Sequence, residues 1–215
     1  MLKHRIIFIT ILFLFVSFAW ISGGEQGMSY DEVKTEVILL RIKQASSNIE
    51  SMEGEFVQKK RLEILKEMPE SYGKLYYMSP DRLRWEITAP VVMGFIINGE
   101  QGKKWRGKDG RSMKFDLSRE PIIAAISNQV FSWARGDYGR LKAGYNISII
   151  SEEPVEVRLR PLSPVEQKYI ESIDLAFSEE ESHVTKIEIH DKKGGSTLIS
   201  FSNMKINPGL SEEIF

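Results

Sequence analysis

The chain has 215 residues, with 29 Lys and Arg, 30 Asp and Glu, three His and no Cys. Near-neutral charge without a basic stripe excludes a nucleic-acid binder built on phosphate contacts, and the lack of Cys excludes disulfides and thiolate metal sites. Once an N-terminal leader is set aside, about 190 residues remain, enough for one domain that buries roughly 70% of its unfolded surface.

The leader comes first. Lys3-His4-Arg5 forms a basic stub, and Ile6 to Val16 is apolar except for Thr10. Ser17-Phe18-Ala19 and Ser22-Gly23-Gly24 then offer small residues for cleavage. This layout predicts a secretory signal peptide over 1–24, cut near 19 or 24, and an exported domain over 25–215. The apolar run is shorter than the roughly 20 residues that span a bilayer, which argues against a retained anchor. No Cys follows the run, so no lipid attachment is expected there.

Ser29 with Glu32 three residues on has the spacing of a reciprocal helix cap. Val33, Val37 and Leu40, like Ile38, Ile42, Ala45 and Ile49, recur at helical spacing and predict a helix over 30–50 with a wide apolar face. The period then drops to two. Strands are predicted at 54–65, 71–79, 82–88, 91–98, 102–107 and 111–116, punctuated by Ser79-Pro80-Asp81, Ala89-Pro90, Asn98-Gly99 and Lys108-Asp109-Gly110. A second helix, over 119–135, carries Ile122, Ile123, Ala125, Ile126, Val130, Phe131, Trp133 and Ala134, starts at Pro121 and is ended by Asp137 and Gly139. Strands resume at 144–151, 154–161, 167–178, 184–191 and 195–205. The order predicts an α+β fold, mainly β: an antiparallel meander interrupted by one apolar helix.

Catalytic chemistry is absent from the pattern. His183 and His190 have no ligand spacing and read as surface residues. There is no Gly-x-Ser-x-Gly elbow and no phosphate loop. Asp and Glu sit in turns and on polar faces, where carboxylates are normally solvated. No enzyme, cofactor or metal is expected.

The apolar pattern says more. Arg82 to Ile87 alternates, with Leu83, Trp85 and Ile87 on one face and Arg82, Arg84 and Glu86 on the other. Val91 to Ile97 is apolar on both parities, so both faces of that strand need cover. The 30–50 helix is expected on one side and the 119–135 helix on the other. Tyr72, Tyr76, Tyr77, Trp105, Phe115, Phe131 and Trp133 add broad rigid area. Such residues either fill a solid core or line a dry cleft for an apolar ligand, and composition leaves both open.

The ordered motifs bear on that choice. Glu53-Gly54-Glu55-Phe56-Val57-Gln58 follows the first helix, then come Tyr72-Gly73-Lys74-Leu75-Tyr76-Tyr77 and Ser79-Pro80-Asp81-Arg82-Leu83-Arg84-Trp85-Glu86. Pro90, Ile97-Asn98-Gly99, Trp105, Phe201-Ser202-Asn203, Asn207 and Phe215 complete the series. Together they resemble the outer-membrane lipoprotein carriers of the LolA family, over nearly the whole exported chain.

The resemblance implies an incomplete, half-open antiparallel β-barrel with an N-terminal helix and a helical lid over an apolar cavity. It implies a monomeric periplasmic chaperone of acylated lipoproteins. Its partners would be an inner-membrane ABC-type releasing complex and an outer-membrane acceptor. Leu83 matches a cavity-lining position. The candidate lining set is Phe56, Leu75, Leu83, Trp85, Ile87, Ile97, Ile122, Ile126, Val130 and Phe131. Well-known members carry an Arg before the Pro of the third strand, which hydrogen-bonds the lid. Ser79 stands there in this chain, and Arg82 is the candidate substitute latch. The chain also stops at Phe215, where some members continue into a tail strand. Two other readings stay open: a carrier of another lipid or glycolipid, and a sensor or regulatory binding module on the same shell.

Overall fold

The computed structural model describes residues 29–61, 68–107 and 111–215, the side chains of Pro121, Ile122 and Ala125 excepted. The expected leader and the expected turn at Lys108-Asp109-Gly110 lie outside the described residues. The first described element is α1, Tyr30–Ser46, whose cap is reciprocal. The Glu32 N–H donates to Ser29 Oγ at 3.3 Å, and the Ser29 N–H donates to Glu32 Oε2 at 2.7 Å. These bonds satisfy donors that a free helix start leaves exposed.

Six strands follow: β1 Ser51–Arg61, β2 Glu70–Met78, β3 Arg82–Ala89, β4 Met93–Asn98, β5 Gln101–Arg106 and β6 Ser112–Asp116. Then come α2 Pro121–Ala134 and α3 Tyr138–Gly144. The chain closes with β7 Tyr145–Glu152, β8 Val155–Pro161, β9 Ile170–Phe177, β10 Val184–Asp191 and β11 Ser196–Ile206. The eleven strands of the described residues form one antiparallel sheet in the order β6-β5-β4-β3-β2-β1-β11-β10-β9-β8-β7. Every pair of neighbours in the sheet is consecutive in sequence except the central one, where β1 joins β11. The sheet stays open, and β6 and β7 are its two edges.

That order fixes where the helices lie. The segment holding α2 and α3 leaves one edge strand and enters the other, so it must cross a face of the sheet. Register identifies the face. Leu83 pairs with Tyr77 and Ile97, Trp85 with Leu75 and Phe95, and Phe56 with Gly73 and Phe201. With Ile173, Leu175, Val157, Leu159 and Ile187 from the far strands, these side chains form one cluster. The cluster also takes in Phe131 and Val130 of α2, Leu141 of α3, and Ile38, Leu39 and Ile42 of α1. Burial of each such side chain contributes about 1.5–3 kcal/mol.

Both helices therefore share the inner face, and the expectation of one helix on each side is corrected. The outer face of β4 is apolar at Ile96, which is 4% exposed, and the C-terminal turn lies over it. Ile96 and Phe215 line the same small hollow, and Arg84 Nη1 donates to the Ile214 carbonyl at 3.2 Å. Over β8 to β10 the outer face is charged instead: Arg158 pairs with Asp174 at 2.6 Å, and Lys186 with Glu156 at 3.3 Å.

Two further expectations change. The segment after 135 holds another helix, because Asp137 is a cap: its side chain accepts from the Arg140 N–H. Gly136, at φ +59°, ends α2 one residue earlier. A Cβ there would lie 2.4 Å from Ser46 Oγ and 2.9 Å from Lys43 Cα, so α1 can approach the bend only because the residue is glycine. On α1 itself, only the Ile38, Leu39 and Ile42 side packs; Val33, Val37 and Leu40 stay exposed, so the expected wide apolar face is buried along one margin.

Candidate functional site

The site grows out of β3 to β6. Ala89-Pro90 bends the chain between β3 and β4, and Gly99 turns it between β4 and β5 with φ +64°. Asn98 then opposes Gln101, so Ile97 opposes Gly102, Phe95 opposes Lys104 and Met93 opposes Arg106. In the next strand pair Lys104 opposes Met113 and Gly102 opposes Phe115. The inner face thus reads Leu83-Trp85-Ile87, Met93-Phe95-Ile97, Gly102-Lys104-Arg106 and Met113-Phe115 across four strands.

Beyond Trp85 this face is not filled. A cleft of about 750 Å³ lies between it and α2, lined by Gln58, Trp85, Ile87, Phe95, Met113, Ile123 and Ile126 among others. Its floor is partly buried, while Met113 and Ile126 at its mouth are 64% and 39% exposed. Such a volume is in the range of ligand pockets, and its lining is mainly apolar. A second hollow, of about 630 Å³, lies between α1 and β7, but Asp31, Glu32, Lys34, Glu36 and Lys142 make its rim charged.

Of the residues named from sequence, Trp85, Ile87 and Ile126 line the cleft. Leu83 and Ile97 are fully buried, and Phe56 and Phe131 nearly so. Leu75 and Val130 border a void of only about 30 Å³ under α2. These six belong to the packed core, which Val130 and Phe131 join from α2. Phe131, for example, lies 6.1 Å from the Tyr77 ring. Contact between them and a ligand requires α2 to lift. The Ile122 side chain lies outside the described residues.

Strand alternation places the latch candidate Arg82 on the outer face. Arg82 faces outward, opposite in parity to Leu83, and pairs with Glu212 of the C-terminal turn at 3.1 Å. Ser79 is exposed in the β2–β3 turn, and its N–H donates to the Glu50 carbonyl at 2.7 Å. Lys104 ties the sheet to Glu120, just before α2, at 2.5 Å.

The cations of the cleft, Lys104, Arg106 and Arg111, were among the lining residues missed from sequence. The signal existed. The two-residue turn after Asn98 sets the register and so places Lys104 on the face of Phe95.

The two described histidines are half-buried, which corrects their surface reading. His190 Nε2 lies 3.2 Å from Asp174 Oδ2. Burial would raise the Asp174 carboxyl, but Arg158 and then His190 hold it below its usual range. His183 borders the void under α2, and burial lowers its pKa, with Glu180 opposing. The fold therefore favours the neutral ring. The unfolded chain, titrating near the ordinary 6.5, takes up the proton first, so stability falls as pH drops below that value. His183→Gln should remove this part of the pH dependence between about pH 7 and 5, as read from denaturant midpoints of variant and parent.

Among the described residues no group of His, Asp or Glu is arranged to hold a metal, and no helix is long and apolar enough to cross a membrane. Comparison with known proteins bears on the cleft. The sequence profile of the family described as outer membrane lipoprotein carrier protein LolA matches residues 47–215. The chain belongs to the LolA family. The proteins of this family are carriers and not enzymes.

Among curated proteins, none matches this LolA-family chain by sequence. Solved structures do. A LolA superfamily protein from Nitrosomonas europaea is 13% identical with a TM-score of 0.44, covering 84% of this chain and 96% of that one. The Pseudomonas aeruginosa MucA/MucB complex is 12% identical with a TM-score of 0.49, over 84% and 60% of the two chains. The Mycobacterium tuberculosis lipoprotein LppX is 12% identical with a TM-score of 0.47, over 82% and 98%.

Proposed function

We propose that this LolA-family chain is a periplasmic carrier that holds the acyl chains of lipoproteins in the cleft between β3–β6 and α2. In this role it ferries them from an inner-membrane ABC-type releasing complex to an outer-membrane acceptor. The observation that carries the reading is the roughly 750 Å³ hollow, floored by Trp85, Ile87 and Phe95 and open at its mouth. Family membership supports it, as does the secretory layout of residues 1–24.

The energetics suit a carrier. Each buried methylene contributes about 0.8 kcal/mol, so about ten in the cleft supply about 8 kcal/mol towards holding cargo in water. The cost of parting α2 from the core reduces that sum. A cover that is closed most of the time lowers the apparent affinity by the fraction of molecules that are open. Intermediate net affinity is what a carrier needs if it is to hand cargo on.

The test is to purify the protein from periplasm and identify what comes with it by mass spectrometry. Triacylated peptides are the expected result. Phospholipid or glycolipid without peptide would replace the cargo assignment with a general lipid carrier, and protein free of any acyl material would overturn the reading.

A further inference from the structure

We propose that the cargo's polar part, where it leaves the cleft, is an acidic peptide segment, and that Arg106 with Lys104 reads it. The proposal rests on the lipoprotein reading above and adds the charge of the peptide that follows the acylated residue. Every inner position of β3 and β4 is apolar, yet the inner face turns basic in β5. Lys104 and Arg106 both line the cleft, and Arg111, just ahead of β6, joins them.

No carboxylate lines the cleft among its described residues. Glu120 answers Lys104 from just before α2, at 2.5 Å. Arg106 is exposed at the mouth and has no ion pair among the described residues. A guanidinium at the edge of a low-dielectric hollow attracts an anion more strongly than the same group in open solvent. An amphiphile that inserts its chains beside Trp85 and Ile87 brings its head to this edge. A basic head meets like charge there, whereas a carboxylate gains charge-assisted hydrogen bonds.

The experiment uses two tripalmitoyl-cysteinyl peptides that differ only in their tails. One tail is a serine followed by a short run of glutamates, the other a serine followed by an equal run of lysines. Phosphatidylglycerol is the third ligand. The acidic tail should bind about fivefold more tightly at low salt. The preference should fade as salt rises and be lost in Arg106→Glu, whose side chain is exposed and not part of the core. Equal binding of the two tails, or a preference unchanged in that variant, overturns the proposal and leaves the carrier reading intact. Failure of both lipopeptides to bind overturns the carrier reading and the proposal with it. Tighter capture of phosphatidylglycerol than of either lipopeptide assigns the basic edge to a phosphate head and overturns the peptide assignment.

Discussion

Phe56→Ala should lower the stability of the fold by about 3–5 kcal/mol, the usual cost of emptying a buried aromatic site. The ring is 1% exposed and sits where the two halves of the sheet meet. It lies 4.4 Å from the Trp85 ring and 6.2 Å from the Phe201 ring, between centroids. It also covers Gly73: a Cβ on that glycine would come within 2.2 Å of Phe56 Cζ. The glycine, having no Cβ, leaves the room that the ring fills. Chemical denaturation should show the midpoint falling with little change in slope. A loss under about 1 kcal/mol would mean that β1 and β11 are held together by something other than this aromatic stack.

Ile87→Lys should abolish cargo retention while leaving the protein folded. Ile87 is half-buried, so its replacement removes little core. Within the cleft, however, the new ammonium joins Lys104 and Arg106, and the described lining offers no carboxylate to pair with it. An unpaired charge facing acyl chains costs several kcal/mol, which corresponds to roughly a hundredfold or greater loss of affinity. Ile87→Met, nearly equal in volume, should keep its cargo. The measurement is acyl material recovered per protein from periplasm. Equal recovery from the Lys variant and the parent would place the chains elsewhere, with the charged hollow beside α1 as the next site to test.

The elements of this fold were legible wherever one local rule decided them. Ser29 and Glu32 announced α1 because a cap is a contact between near neighbours. Arg82 to Ile87 announced β3 because alternation survives whenever one face is wet. What stayed hidden was set by contacts far apart in sequence. Nothing in the periodicity of β1 or β11 says that they pair across the centre of the sheet, and nothing in α2 says which face it crosses. Ile96 showed that β4 needed cover on its outer side, but its cover is the turn at Ile214 and Phe215, too short and irregular to carry a period. Apolar identity cannot separate Leu83, fully buried in the core, from Ile87, which faces the hollow. Its cations were overlooked for the opposite reason: charged residues in a strand are usually solvated, and only the register past Gly99 turns Lys104 inward.

The span from β6 to β7 has a mechanical meaning. A hinged door is fixed along one jamb and swings without moving the frame. This segment is fastened at both rims, so it behaves as a string does on a bow. Raising it draws the rims together or lets the string slacken, and swelling the space beneath it pulls on both anchors. Loading should therefore register as a changed distance between two fluorophores, one near Met113 and one near Ile150, neither of which needs to touch the cargo.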